Sequence, residues 1–388
     1  MHPEGAGTAG EEARSGYLGP GFVLALSIRL LSSALVIVIP LFAVGALGVT
    51  AARAGGFVLL LWVGNALGVA SAAVVLRDQT RASVGGFSLV ALSMAGLALG
   101  GPALSPLFIV CAGAGVGLPQ PFLSAFMHLG SPADTPFSGL GLYSAALGAG
   151  LILGPLVAYG AYPFVGFGGV FLSLAAVCAV GLLGAALGRE AAGTSPRPPA
   201  PSPRAWARAF RTPAFTRAVT VNFLYSLLLP AVLSFGGIYA EAKFGFTPED
   251  ALLLFTVVFV VSVCLRLAAI RLESRLHLLF AVSLALLLAS ALLLGFAPTW
   301  EYFVLGMLLF SVPHAFVFPI ANFRAFRNSG GDVINASYVF QGSSAAAEFI
   351  SPAAALFLIP FAGIGALYLI GAVLAGGALL AAMTSRKD

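Results

Sequence analysis

Charged side chains are scarce in this sequence. Asp, Glu, Lys and Arg make up 9% of its 388 residues, where a soluble domain carries about 25%. Water cannot solvate so apolar a surface, so most of the chain must face lipid or other helices. Cysteine is nearly absent too. Cys111, Cys178 and Cys264 all fall in apolar runs, which supports neither a disulfide framework nor a metal-ligand spacing; all three read as small buried packing residues. No phosphate-cradling GxxxxGKS/T loop occurs, which argues against ATP drive. His2, His128, His277 and His314 are dispersed, and no Ser/His/Asp or Cys/His set shares a site. The chain is therefore not expected to be an enzyme, and neither a metal nor a cofactor is expected. The formal net charge is +5, yet the basic residues are scattered through short loops without interleaved aromatics, which excludes nucleic acid as a partner. Residues 1–18 are polar and lack the basic start and cleavage site of a signal peptide, so they read as a cytoplasmic tail.

What the chain has is hydrophobic length. Apolar residues make up 60% of it, and a spanning helix needs about 20 in a row. Apolar runs between polar or Pro/Gly breaks give twelve segments: 19–45, 53–76, 83–100, 104–128, 138–160, 164–188, 214–240, 249–270, 277–297, 301–322, 334–358 and 362–383. The 47 glycines and 24 prolines do not contradict helices, because both are commoner in membrane helices than in soluble ones. With both ends cytoplasmic, fifteen of the nineteen Lys and Arg residues fall inside, Arg53 and Lys243 fall outside, and Arg29 and Arg266 lie within segments. That asymmetry obeys the positive-inside rule, and Tyr159, Tyr162, Tyr239, Trp300 and Tyr302 then fall at outer segment ends as an aromatic belt. Arg266, close to Arg271, is expected to reach the inner interface.

The one long break, 189–212, is rich in proline and arginine and reads as a cytoplasmic linker. Its end, with Trp206 and Phe210, reads either as a short amphipathic helix on the inner surface or as a disordered tether. The organisation is then a tail (1–18), a six-helix bundle (19–188), the linker, a second bundle (213–384) and a short cytoplasmic tail (385–388). The two bundles repeat. Pro155 and Pro352 are 197 positions apart, as are Pro163 and Pro360, Gly166 and Gly363, and Gly168 and Gly365. Arg77-Asp78-Gln79-Thr80-Arg81 corresponds to Arg271-Leu272-Glu273-Ser274-Arg275. Parallel six-helix repeats are a transporter architecture with substrate held at the midplane.

On these features the sequence resembles the major facilitator superfamily over essentially its whole length. Gly150-Leu-Ile-Leu-Gly154-Pro155 in segment 5 looks like the antiporter motif of the drug/proton antiporter families. There the motif ends in a glycine pair, whereas here only Gly160 follows. The loop at Arg77 and Asp78 resembles the family's charged loop motif with the acid–base order reversed, and Ala73 stands where a glycine is usual. The resemblance implies an all-α membrane protein of twelve transmembrane helices in two pseudo-symmetric bundles. It further implies a gating role for Gly150, Gly154, Pro155 and the two charged loops: Arg77, Asp78 and Arg81, with Arg271, Glu273 and Arg275. An acid between arginines at a helix-pair end can bridge to neighbouring helices as a latch; simple inside charge with a capping acid is the alternative.

Charge within a span costs about 3 kcal/mol and marks function by default. Of the 14 acids, only Glu348 falls mid-segment, among the small residues of GSSAAAEFISPAA. Its repeat mate is Leu151, so the carboxyl is an addition to one half. Three roles suit it: carrying a proton, since desolvation favours a neutral carboxyl; pairing with a cationic substrate; or packing as a protonated or arginine-paired residue. Arg29 shares a helix face with Ser33 and either contacts an anionic group or Glu348, or snorkels to the interface. Asn65, Gln120, Asn222, His314 and Gln341 can hydrogen-bond substrate or a neighbouring helix.

The expected function is proton-coupled export of a small amphipathic or drug-like solute by alternating access. The protein is expected in the cell or plasma membrane as a monomer, with the solute, protons and the bilayer as partners. A uniporter or symporter for a small organic anion, with Arg29 as the contact, is the alternative, as is a lipid-translocating member of the same fold. A non-transporting receptor or a membrane-embedded enzyme belongs to a different class, and the missing catalytic set speaks against it.

Overall fold

A backbone that cannot bond to water must bond to itself, and an apolar chain does this as helices. The computed structural model describes residues 6–72, 79–120, 122–123, 136–192, 207–208, 210–269, 275–329 and 333–383, and among them there is helix and turn but no strand. The helices are α1 (Ala6–Gly45), α2 (Ala51–Ser71), α3 (Gln79–Leu99) and α4 (Ser105–Gly117). The stretch Pro136–Ala192 is broken at Gly166, whose φ is +60°, giving α5 (136–165) and α6 (167–192). There follow α7 (Pro213–Leu233), the short α8 (Gly236–Phe244), α9 (Pro248–Ala269), α10 (Leu276–Phe296), α11 (Trp300–Arg327), α12 (Val333–Ala362) and α13 (Gly365–Met383).

Ten stretches are long and apolar enough to cross a membrane. One of them, Ala145–Gly188, holds both α5 and α6, and the apolar Pro102–Gly117 adds the fourth segment. Each of the twelve expected segments thus holds a helix among the described residues, with α7 and α8 sharing the seventh. Two boundaries differ from expectation. The first helix begins at Ala6, inside the stretch expected as a tail. The seventh segment breaks at residues 234 and 235, between Pro230 and the Gly236-Gly237 pair, where helix propensity is lowest.

The repeat survives most clearly in the turns. Among the described residues the glycines with positive φ are Gly48 (65°), Gly166 (60°), Gly245 (75°) and Gly363 (72°). They form two pairs at one spacing, since 245 − 48 and 363 − 166 both equal 197. Each stands where the chain reverses in the left-handed region that only glycine enters freely. The caps repeat too. Thr50 Oγ1 accepts the Arg53 N–H at 3.4 Å, and Thr247 Oγ1 accepts the Asp250 N–H at 3.2 Å. In return the Asp250 carboxylate accepts the Thr247 N–H at 2.9 Å, a capping box at the start of α9.

The chain packs as two compact units, Met1–Leu35 with Leu60–Pro198, and Val36–Leu59 with Pro199–Asp388. In the first, α3 packs on α4 and on α5–α6. Its tightest seam lies between α2 and α4. A β-carbon on Gly64 would stand 2.0 Å from the Val110 carbonyl oxygen, one on Gly68 2.2 Å from that of Ala114, and ones on Gly113 and Gly117 2.0 and 2.2 Å from those of Leu61 and Asn65. These helices touch backbone to backbone, with small residues four apart on both sides of the crossing. In the second unit α7 is the hub and packs on α11, α12 and α13, while α10 packs on α11 and α13 and α9 on α11.

Both units leave large apolar side chains outside, among them Leu99 (81% exposed), Phe164 (85%) and Phe361 (90%). Such surfaces suit hydrocarbon, not water. Trp300 and Tyr302 are half exposed at the start of α11, as a belt requires. Tyr239 departs from the belt: it is 7% exposed and packs against Phe303 and Tyr368 with ring centroids 5.7 and 5.4 Å away. Cysteine burial is mixed, with Cys178 buried, Cys111 intermediate and Cys264 exposed, so Cys264 is not the packing residue expected.

Candidate functional site

The polar residues expected to carry function divide between the units. In the first, Arg29 and Ser33 lie one turn apart on α1 and face the glycines of α5. A β-carbon on Gly150 would stand 2.7 Å from Arg29 Cβ, and one on Gly154 2.1 Å from Ser33 Oγ. The missing side chains let the Ser33 hydroxyl donate to the Gly150 carbonyl at 3.1 Å, beside its own-helix bond to Leu30 at 3.1 Å. Gly150 and Gly154 therefore seat the helix that carries half-buried Arg29, and Pro155 is buried directly after them. Asn65 is 6% exposed, and its backbone carbonyl is the group that Gly117 meets. Gln120, half-buried, lies just beyond α4.

In the second unit the polar groups form ties between four helices. Asn222 on α7, fully buried, donates from Nδ2 to Ser344 Oγ on α12 at 2.7 Å; its Oδ1 has no hydrogen-bond partner. One turn along, the Tyr225 hydroxyl meets His314 Nδ1 on α11 at 2.7 Å. His314 is 3% exposed and lies between the rings of Phe259 (5.4 Å) and Phe310 (5.7 Å). From α9, Arg266 Nη2 donates to the His314 carbonyl oxygen at 2.7 Å. That carbonyl lies one residue before that of Ala315, which Pro319, four residues on and without an N–H, leaves without its helical bond. Arg266 thus reaches across to α11 rather than to the inner interface. Four helices of one unit are joined through Ser344, Asn222, Tyr225, His314 and Arg266. Tyr225 and Ser344 escape a reading that ranks side chains by charge or amide; the one signal was their helical spacing from Asn222 and Glu348.

Glu348 and Gln341 lie on α12, seven residues apart and so close to two turns. Gln341 is exposed and Glu348 half-buried, and beside them a β-carbon on Gly342 would meet nothing within 4 Å. Only 17% of the apolar stretch of α12 is buried, against 61% in α11. Small residues here leave the helix face open around the one mid-span carboxyl.

Of the residues expected to gate, Arg81 is exposed in the first turn of α3 and Arg275 is exposed at the start of α10. Arg77, Asp78, Arg271 and Glu273 lie outside the described residues. Among the described residues there is no cluster of three His, Cys, Asp or Glu able to hold a metal.

No curated protein matches the sequence. The fold is shared with solved transporters. One is a POT family transporter in complex with a thioalcohol-conjugated peptide (TM-score 0.77, 15% identity, covering 95% of this chain and 96% of that one). Another is a D-xylose–proton symporter (0.73, 17%, 98% and 97%). A third is a nucleoside transporter, NupG (0.69, 14%, 95% and 99%). At these identities the likeness shows the fold alone. The sequence pattern of the Major Facilitator Superfamily matches residues 137–347, more than half of the chain. With its all-helical fold and repeated halves, this integral membrane protein belongs to the Major Facilitator Superfamily and is a secondary transporter, not an enzyme.

Proposed function

We propose that the chain exports a small amphipathic solute in exchange for protons, by alternating access, with Glu348 carrying the proton. The observation that carries this reading is the open face of α12. A carboxyl and an amide two turns apart are costly against hydrocarbon and stable against water. A face of small residues around them leaves room for water and solute. His314 and Asn222 are tied to neighbouring helices, and Asn65 sits in a backbone seam. Few fixed charges remain to recognise a multiply charged solute, which favours an apolar or weakly charged one.

The glycine seat of α1 supports the antiporter comparison in physical terms. Gly150 and Gly154 let α1 approach α5 closely, which fixes the backbone position from which Arg29 extends. Both termini are assigned to the cytoplasm, as the charge asymmetry demands.

The test begins with a thermal-shift screen of the purified protein against drugs and metabolites, because a ligand that binds the folded state raises its stability. With the best stabiliser as probe, Glu348→Gln should abolish accumulation driven by a pH gradient in inverted vesicles and leave counterflow exchange intact. Normal gradient-driven transport by that variant would end the coupling assignment.

A further inference from the structure

The turn leading into α7 carries a pattern that transport does not use. Arg211 donates its backbone N–H to the Arg208 carbonyl at 3.1 Å, closing a turn that brings the two residues within about 7 Å of one another. Both arginines are exposed. Phe210, between them, leaves 47% of its surface exposed, yet it is held in place. Its ring packs edge-on against Phe215 with centroids 5.8 Å apart, and its carbonyl accepts the Thr216 hydroxyl at 2.9 Å. The anchor residues belong to the first turn of α7, and α7 is a membrane span from Pro213. The turn therefore sits where the span meets the headgroups, with an aromatic ring and two guanidinium groups at one level.

Acid is scarce in this segment. From Arg189 to Arg217 the sequence has six arginines and a single acid, Glu190. Among the described residues neither Arg208 nor Arg211 has an ion-pair partner. Among the described residues no carboxylate therefore competes for an anion at the turn. Guanidinium groups bind phosphate oxygens in a fork that ammonium groups cannot copy. An exposed Phe beside them has little to gain in water and much to gain at the boundary of the acyl chains.

We propose that this turn is a docking site for an anionic phospholipid, with Arg208 and Arg211 on the phosphate and Phe210 beside the acyl chains. The lipid is favoured over a free phosphate because only the lipid covers the exposed part of the Phe210 ring. The site is independent of the transported solute and of Glu348. It holds the start of α7, the hub of the second unit, against one leaflet.

The test is native mass spectrometry of the full-length protein, released from mixed micelles with phosphatidylglycerol or phosphatidylcholine. Phosphatidylglycerol should bind in preference. Arg208→Gln with Arg211→Gln should weaken it about 30-fold, which is about 2 kcal/mol at 1.4 kcal/mol per tenfold, and leave phosphatidylcholine binding unchanged. The charge-keeping pair Arg208→Lys with Arg211→Lys should keep only part of the preference, because the surface charge stays while the guanidinium fork is lost. Phe210→Ser should weaken both lipids. Equal binding of the two lipids by the wild type would overturn the proposal, as would full phosphatidylglycerol binding by the glutamine pair. Displacement of the lipid by millimolar inorganic phosphate, with Phe210→Ser silent, would reassign the turn to a soluble anion and equally overturn it. All these side chains are exposed, and unchanged thermal unfolding of each variant shows that the fold is kept.

Discussion

The seam between α2 and α4 permits a prediction whose size can be worked out. In Gly64→Ala the new β-carbon would stand 2.0 Å from the Val110 carbonyl oxygen, 2.9 Å from its carbon and 3.0 Å from the Ala114 nitrogen. Carbon–oxygen contacts between packed helices settle near 3.3 Å, so the helices must part by about 1.3 Å at this point. All three obstacles are backbone atoms, which cannot swing aside as a side chain does. Overpacking of this kind costs about 2–3 kcal/mol. Alanine returns about 1 kcal/mol of helix propensity over glycine, which leaves a net loss of about 1–2 kcal/mol. Gly85→Ala on α3 is the control, because a β-carbon there meets nothing within 4 Å, so only the propensity gain of about 1 kcal/mol remains. The two variants should differ by about 2–3 kcal/mol, or about 4–12 °C in Tm at about 2–4 °C per kcal/mol. Thermal unfolding of the full chain in detergent, followed by intrinsic fluorescence at a single scan rate, reads the difference. Equal shifts for Gly64→Ala and Gly85→Ala would refute the close-contact argument.

Tyr225→Phe takes the hydroxyl from His314 Nδ1 inside the second unit; its expected cost is about 1–3 kcal/mol, read as a fall in Tm, while an unchanged Tm would mean the bond contributes nothing. Arg29→Ala should impair transport of small organic anions and spare a neutral amphipathic probe, and equal loss for both in vesicle uptake would make Arg29 structural. Burial pushes the Glu241 carboxyl above its usual value of 4.5. A raised carboxyl contributes stability in full below the unfolded value and loses it as pH rises through the folded one. Glu241→Gln should therefore leave stability unchanged at acid pH and flatten the decline above about pH 4.5, as thermal unfolding across a pH series would measure; parallel curves for variant and wild type would contradict this.

Hydropathy was enough to place the helices, because a backbone in hydrocarbon has few choices. Expected 249–270 and 277–297 became Pro248–Ala269 and Leu276–Phe296, the first begun by a proline, whose fixed φ suits the first turn of a helix. The turn glycines Gly166 and Gly363 were visible as a repeat pair; Gly48 and Gly245 were not, because the prolines near them, Pro40 and Pro230, are 190 positions apart rather than 197. Glu348 stood out as the one mid-span acid. The ties through Tyr225 and Ser344 did not, since hydropathy treats a tyrosine in a span as ordinary and a serine as small. The glycine seam was hidden for a deeper reason. Gly64, Gly68, Gly113 and Gly117 act by what they lack, and four-residue spacing is common in any helix rich in small residues. Arg266 misled because nearness to Arg271 along the chain says nothing about which way a long side chain turns.

The seam also says something about mechanics. Carbonyls seated in glycine notches engage like teeth, so α2 and α4 cannot slide without lifting a whole helix clear. The first unit is therefore stiff along that line. Between α9 and α11 the second unit has no such notches described; the Arg266 guanidinium bridges them instead while the His314 imidazole ties α11 to α7, and long side chains can pivot while keeping their bonds. Compliance should concentrate in the half that also carries Glu348, so that a load applied evenly to the molecule would be taken up as strain mainly there.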